Sequence, residues 1–256
     1  MTKTTGQKSG LHIPPIKDTL LKPLPKRFYK DVAVTSDPKH GHVITLDGRR
    51  AHTPRKKLLA TPVTELADKI AEEWRVQVET INPAHMPLTT LLCTALDAVT
   101  GREADVAADI TKYAGSDLLC YRAQSPAKLV ARQSASWDPL IAWSKSALGA
   151  DFKVTTGLIH VAQSETALRA VAATVEPHDP LTLAGLHVLT TITGSVILAL
   201  AVHRKHLTLQ QAWAAAHVDE DWQIEQWGTD YEAEDRRAKR LRDAEAAAFV
   251  LTMNHS

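Results

Sequence analysis

Cysteine is nearly missing from this chain: Cys93 and Cys120 are the two that occur, far apart in sequence. That excludes a disulfide framework and a clustered-thiolate zinc site, and it suits a reducing compartment. Either thiol reads as a small buried hydrophobe before it reads as a nucleophile. A charge imbalance is missing as well. Lys plus Arg number 30 against 29 acids, so a net charge of +1 exerts no global pull on nucleic acid. Phosphate-cradling loops of the GxxxxGK[ST] or GxGxxG type do not occur, nor do HExxH, GxSxG or CxxC. The common nucleotide-binding and hydrolytic motifs are thereby removed, which leaves a hydrolase built on an unrecognised Asp/His pair as the enzymatic alternative.

A membrane span is also wanting. From Leu186 to Val202 no residue carries a fixed charge, but the run is short for a bilayer and contains His187, Thr190, Thr191, Thr193 and Ser195. It reads as a buried core helix. The start of the chain lacks the order of a secretory signal, and its prolines and lack of arginine disagree with an amphipathic presequence. Residues 1–26 are therefore expected to be a flexible tail.

Hydrophobic residues make up 44% of the 256, enough for a substantial core. Val32–Val34 and Val43–Leu46 are β-branched runs, and Asp47-Gly48 is a two-residue hairpin signal with Arg49–Thr53 returning. Thr61-Pro62 predicts a helix start, with Val63, Leu66, Ala67, Ile70, Ala71, Trp74 and Val78 on one face. Further helices are expected over 88–99, 103–113, 133–148, from Glu165, over 186–202, 208–227 and 232–249. Residues 152–161 allow a strand. The fold class is α+β: a small β-rich N-terminal domain with a following helix (27–85), then a larger mostly α-helical domain (86–256).

Two histidine groups invite a metal: His40 and His42 with His52, and His203 with His206 at helical i,i+3 spacing. Neither has a carboxylate in a recognised pattern, and no metal or other cofactor is expected. Arg49 to Lys57 is the densest basic cluster, yet no aromatic residue is interleaved for base stacking. A solvated hairpin is its plainer meaning, with weak nucleic-acid binding as an alternative.

The segment from Trp213 to Trp227 is the strongest local anomaly. Three of the six tryptophans lie there, beside Asp219, Glu220 and Asp221. Asp221 and Glu225 stand one turn apart, a like-charge pair that weakens an isolated helix by a few tenths of a kcal/mol. On composition the acids read as a solvated face or as partners for arginines. In a functional reading, tryptophans and carboxylates together make a docking surface.

Short blocks then add up in order. Arg27-Phe28-Tyr29-Lys30, Leu46-Asp47-Gly48-Arg49, Thr53-Pro54, Ala71-Glu72-Glu73-Trp74 and Met86-Pro87-Leu88-Thr89 occupy the first part. Asp117 to Arg122, Trp137-Asp138-Pro139 and Asp219 through Gly228 complete the series. Together, over roughly 27–249, the chain resembles the ATP synthase alpha-subunit assembly chaperones of mitochondria and alphaproteobacteria. The resemblance implies a β-rich domain followed by a helical one, no catalysis and no cofactor. It also implies a monomeric chaperone that binds the unassembled alpha subunit until the beta subunit replaces it, without nucleic acid or membrane insertion, in the bacterial cytoplasm. In that light Asp219, Glu220, Asp221 and Glu225 are expected to face basic groups of the client. Trp222 or Trp227 would anchor them. Trp74, Asp47 and Gly48 are expected to be structural.

Overall fold

Two antiparallel strands, β1 (Val32–Asp37) and β2 (Gly41–Leu46), pair along their whole length, from Val32 opposite Leu46 to Asp37 opposite Gly41. The computed structural model describes residues 23–157, 159–229 and 231–253; most of the expected N-terminal tail lies outside them. Asp47 and Gly48 have φ of 48° and 73°, the left-handed pair that a two-residue hairpin turn requires. The turn returns the chain into β3 (Arg49–Arg50), opposite Thr45 and Leu46. The Asp47 carboxylate also accepts the backbone N–H groups of Lys30 and Asp31, at 2.9 and 2.8 Å. β4 (Ala60–Thr61) pairs with the start of β2. There Gly41 has φ +76°, and a Cβ would lie 2.7 Å from the Thr61 carbonyl oxygen, so the close approach needs glycine.

Helix α1 (Thr64–Arg75) covers this sheet with Leu66, Ala67, Ile70 and Ala71, all buried. Its predicted start was early. Thr61 belongs to β4, and its hydroxyl accepts the Val63 N–H instead of capping a helix. Its predicted face was also too long: the helix ends at Arg75, and Val78 is exposed.

Nine helices follow among the described residues. α2 (Pro87–Thr94) opens into a wider π turn over Ala95–Val99, and α3 is Glu103–Lys112. β5 (Tyr121–Arg122) pairs in parallel with β6 (Thr155–Thr156), so among the described residues two of the expected 152–161 strand pair. Between them runs α4 (Ala127–Leu148), which begins six residues earlier than its apolar pattern suggested and carries Pro139 inside. α5 (Glu165–Val175) precedes α6 (Pro180–Thr193) and α7 (Val196–His203).

The buried run expected as one helix is thus two. Gly194 turns the chain with φ +67°, and the Ser195 hydroxyl accepts the Leu198 N–H to start α7. A second predicted helix also divides, at His217, into α8 (Leu209–Ala216) and α9 (Val218–Trp227). α10 (Tyr231–Thr252) closes the structure by lying along α6 and against α2 and α7.

This is the α+β class, a small strand region followed by a mostly helical one. One hydrophobic cluster runs through both, from Tyr29 and Ile44 through Leu92 and Trp137 to Leu189 and Leu251. No described helix is long and apolar enough to cross a membrane.

Candidate docking site

The blocks that carry the resemblance meet one another in space. The Tyr29 hydroxyl donates to the Trp74 carbonyl at 2.7 Å, and the two rings stand edge to face. Trp74 is half-buried and packs against the core. Glu73 reaches the next helix: its carboxylate accepts Leu88 N–H, Thr89 N–H and the Thr89 hydroxyl at 2.7–2.8 Å. Those are the orphan donors at the start of α2, and an acid there also suits the helix dipole. Burial nevertheless raises the Glu73 pKa. Thr53 donates to Asp97 in the π turn at 2.7 Å. Asp117 is fully buried, accepting Leu119 N–H at 3.0 Å and Ile197 N–H at 3.2 Å. Burial drives its pKa up to about 6. Arg122 lies over the ring of fully buried Trp137, 5.0 Å from its centroid, and pairs with Asp138 at 2.9 Å. Trp137 Nε1 donates to the Ala215 carbonyl, joining α4 to α8.

The acidic block lies on α9, which is held between α4 and α10. Asp219 accepts Gln133 Nε2 at 2.6 Å, while the other end of that amide accepts Ala123 N–H. Glu220 pairs with Arg240 at 3.1 Å and stands 3.7 Å from His217. Asp221 pairs with Arg237 at 2.6 Å, and Glu225 with Arg132 at 2.7 Å. Each carboxylate expected to face a client therefore already has a partner on a neighbouring element. The composition reading, partners for arginines, describes Glu220, Asp221 and Glu225, while Asp219 is met by an amide instead. Arg237 and Arg240 stand in the basic run that follows the acids in sequence, a signal available beforehand; Arg132, 93 residues from Glu225, left none.

The tryptophans separate. Trp213 is half-buried, its ring centroid 4.0 Å from that of His217, whose Nδ1 is 2.8 Å from the Trp213 carbonyl. Burial lowers the pKa of His217. Trp222 is also half-buried. Trp227, in contrast, is 79% exposed at the end of α9, and Tyr231 is 85% exposed at the start of α10. Tyr231 was missed by sequence reasoning, because it lies past the acidic block and begins a helix that reads as an ordinary packing helix. Beside the base of α9 an open groove of about 450 Å³ lies between α4 and α8, with Arg132 and Asp221 among its lining residues.

The other candidates are occupied by local duties. His40 pairs with Asp37, His42 lies 2.8 Å from the Thr64 hydroxyl, and His52 bridges to Leu58. His203 Nδ1 lies 3.0 Å from the Leu251 carbonyl, and His206 stacks on Trp143. No group of three or more His, Cys, Asp or Glu is placed to hold a metal among the described residues. In the basic cluster, Arg50 pairs with Asp37, and Arg55 and Lys57 donate to the carbonyls of Asp97 and Leu96. Burial pushes the thiol of Cys93 up to about 11 and that of Cys120 to about 12, far from a thiolate nucleophile at neutral pH.

Known proteins resemble this chain in sequence and in fold. Residues 26–145 match the family model described as ATP12 chaperone protein. The Atu1473 protein of Agrobacterium tumefaciens is 47% identical, with a TM-score of 0.85 over 94% of this chain and 91% of that one. Atp12 from Paracoccus denitrificans is 39% identical, with a TM-score of 0.82 over 89% of this chain and 97% of that one. The mitochondrial protein atp12 of Schizosaccharomyces pombe is 23% identical over 247 residues, covering 90% of this chain and 84% of the yeast protein. With likeness of this depth across nearly its whole length, the chain belongs to the ATP12 chaperone family.

Proposed function

We propose that this protein is an ATP synthase assembly chaperone whose client is the unassembled alpha subunit of the catalytic head, shielded until the beta subunit docks. The observation that carries the reading is the 39% identity to a bacterial Atp12 over 97% of that protein's length. A subunit awaiting its ring neighbours exposes faces more apolar than ordinary surface, and these self-associate unless covered. Covering them needs an anchoring surface, with affinity low enough for the proper neighbour to displace it. The α9 face is our candidate for that surface: Asp219, Glu220, Asp221 and Glu225 beside Trp222 and Trp227, with exposed Trp227 favouring it. The bacterial cytoplasm is the proposed compartment, supported by bacterial relatives at 47% and 39% identity against 23% for the mitochondrial one.

The test is a pull-down with tagged protein from the source cell's lysate, with captured chains identified by mass spectrometry. Enrichment of alpha subunit without stoichiometric beta is the expected result. Failure to capture alpha, even from cells depleted of beta, would sink this client assignment.

A further inference from the structure

α9 and α10 meet at an elbow whose two large aromatic side chains have little protein around them. Trp227 precedes it and Tyr231 follows it, and Gly228 (φ +80°) makes the turn. Surface contacts flank the elbow on both sides. Arg132 pairs with Glu225 in the last turn of α9, and the Thr229 hydroxyl donates to Glu234 in the first turn of α10. Neither contact covers the two rings. Tryptophan and tyrosine are also the side chains that most often dominate interface energies.

Charge identifies what fits. From Val218 through Asp235 the chain has eight carboxylates and no lysine or arginine. Those nearest the base of α9 are sheltered: Asp221 and Glu220 lie against Arg237 and Arg240 of α10. Those around the elbow are open. The Glu225 side chain is 51% exposed, Glu232 85% and Asp235 50%, and their ion pairs with Arg132, Arg236 and Lys239 are surface contacts. Such pairs are individually worth little and exchange readily with a competing cation. Exposed apolar side chains elsewhere, such as the Phe28 ring with Val76 and Val78, lie near charges of both signs, including Arg27, Arg75 and Glu79, and select no partner by charge.

We infer that Trp227 and Tyr231 form an aromatic anchor that enters an apolar recess, rimmed by lysine and arginine, on the protein client. The sheltered acids Asp219, Glu220 and Asp221 then act as positioning residues that set the pose of α9. Glu225, Glu232 and Asp235 meet the basic rim. This rests on the client reading above and says which atoms of the α9 face make the contact.

The test measures affinity of the full chain for purified alpha subunit. Trp227→Ala/Tyr231→Ala should bind about thirtyfold more weakly at an unchanged melting temperature, since neither ring is packed. Val78→Ser and Ile159→Ser, at exposed sites elsewhere, should bind as the parent does. Glu232→Lys should weaken binding several-fold, mostly through slower association. If the parent binds alpha and the double variant binds equally well, the anchor is refuted and the client reading stands. If Glu232→Lys binds more tightly, the basic rim is refuted. If the parent itself fails to bind alpha, the client reading falls and the anchor assigned to it falls too.

Discussion

At Glu73 and Asp117, carboxylates are turned inward and accept backbone N–H groups at helix starts, whereas along α9 they are turned outward and pair with arginines of α4 and α10. Both regions are acidic, and both belong to blocks that carry the family likeness. Their physics differs. An inward carboxylate satisfies donors that water cannot reach, so its removal leaves orphans in the core. An outward ion pair competes with water and salt, so it orients more than it stabilises. The interior blocks are therefore couplings that hold the fold, and the elbow beyond the acids is where a surface is left over.

The comparison breaks most sharply at Trp137. Trp137→Ala should lower unfolding free energy by about 4 kcal/mol, read by urea denaturation, because a fully buried ring and its bond to the Ala215 carbonyl are both lost. A loss below 1 kcal/mol would mean that the interior blocks are not couplings at all.

Asp117 supplies the next effect, with a definite sign. Its folded-state pKa of about 6 lies above the ordinary carboxylate value, so between roughly pH 4 and 6 the folded state binds a proton that the unfolded chain has released. Stability from this group is therefore highest below pH 4 and falls as pH rises toward 6, by about 3 kcal/mol in all. Asp117→Asn should lack that slope. Denaturation curves of both proteins across this window should converge at one end and part at the other; parallel curves would refute the assignment.

On α9 the expected changes are smaller. Glu220→Ala/Asp221→Ala should lose about 1 kcal/mol of stability, two partly exposed pairs' worth, and should also weaken client binding. The swap Asp221→Arg with Arg237→Asp sharpens the point. If Asp221 positions α9, the swapped pair should bind the client within about threefold of the parent. If Asp221 touches the client, it should not. Smallest of all, Trp227→Ala should change stability by less than about 0.5 kcal/mol, since the ring is exposed.

Much of this molecule was legible in advance. The Asp47-Gly48 turn is legible because only a left-handed pair closes a two-residue hairpin, and α1, α3 and α5 because an apolar period shows through a polar background. The division of 186–202 was not. A run that is apolar all round has no period to lose, so the break at Gly194 and Ser195 is silent until Asp117 is seen beneath it. The division at His217 was hidden likewise, by alanines on one side and acids on the other. The acids themselves were conspicuous, but their partners were not. Nothing in a linear reading brings Arg132 to Glu225 across 93 residues.

The buried carboxylate of Asp117 also bears on the order in which this chain takes shape during its synthesis. The helix start that it satisfies at Ile197 lies 80 residues further on, and Trp137 waits 78 residues for the Ala215 carbonyl. While the chain is still being made, Asp117 and Trp137 wait for these partners, and α10, which lies along α6 and against α2, comes later still in chain order. Contacts of such separation form late, since loop closure precedes their reward. A nascent copy of this chain therefore has an unfinished interior until α10 has been made and has closed over α6 and α2.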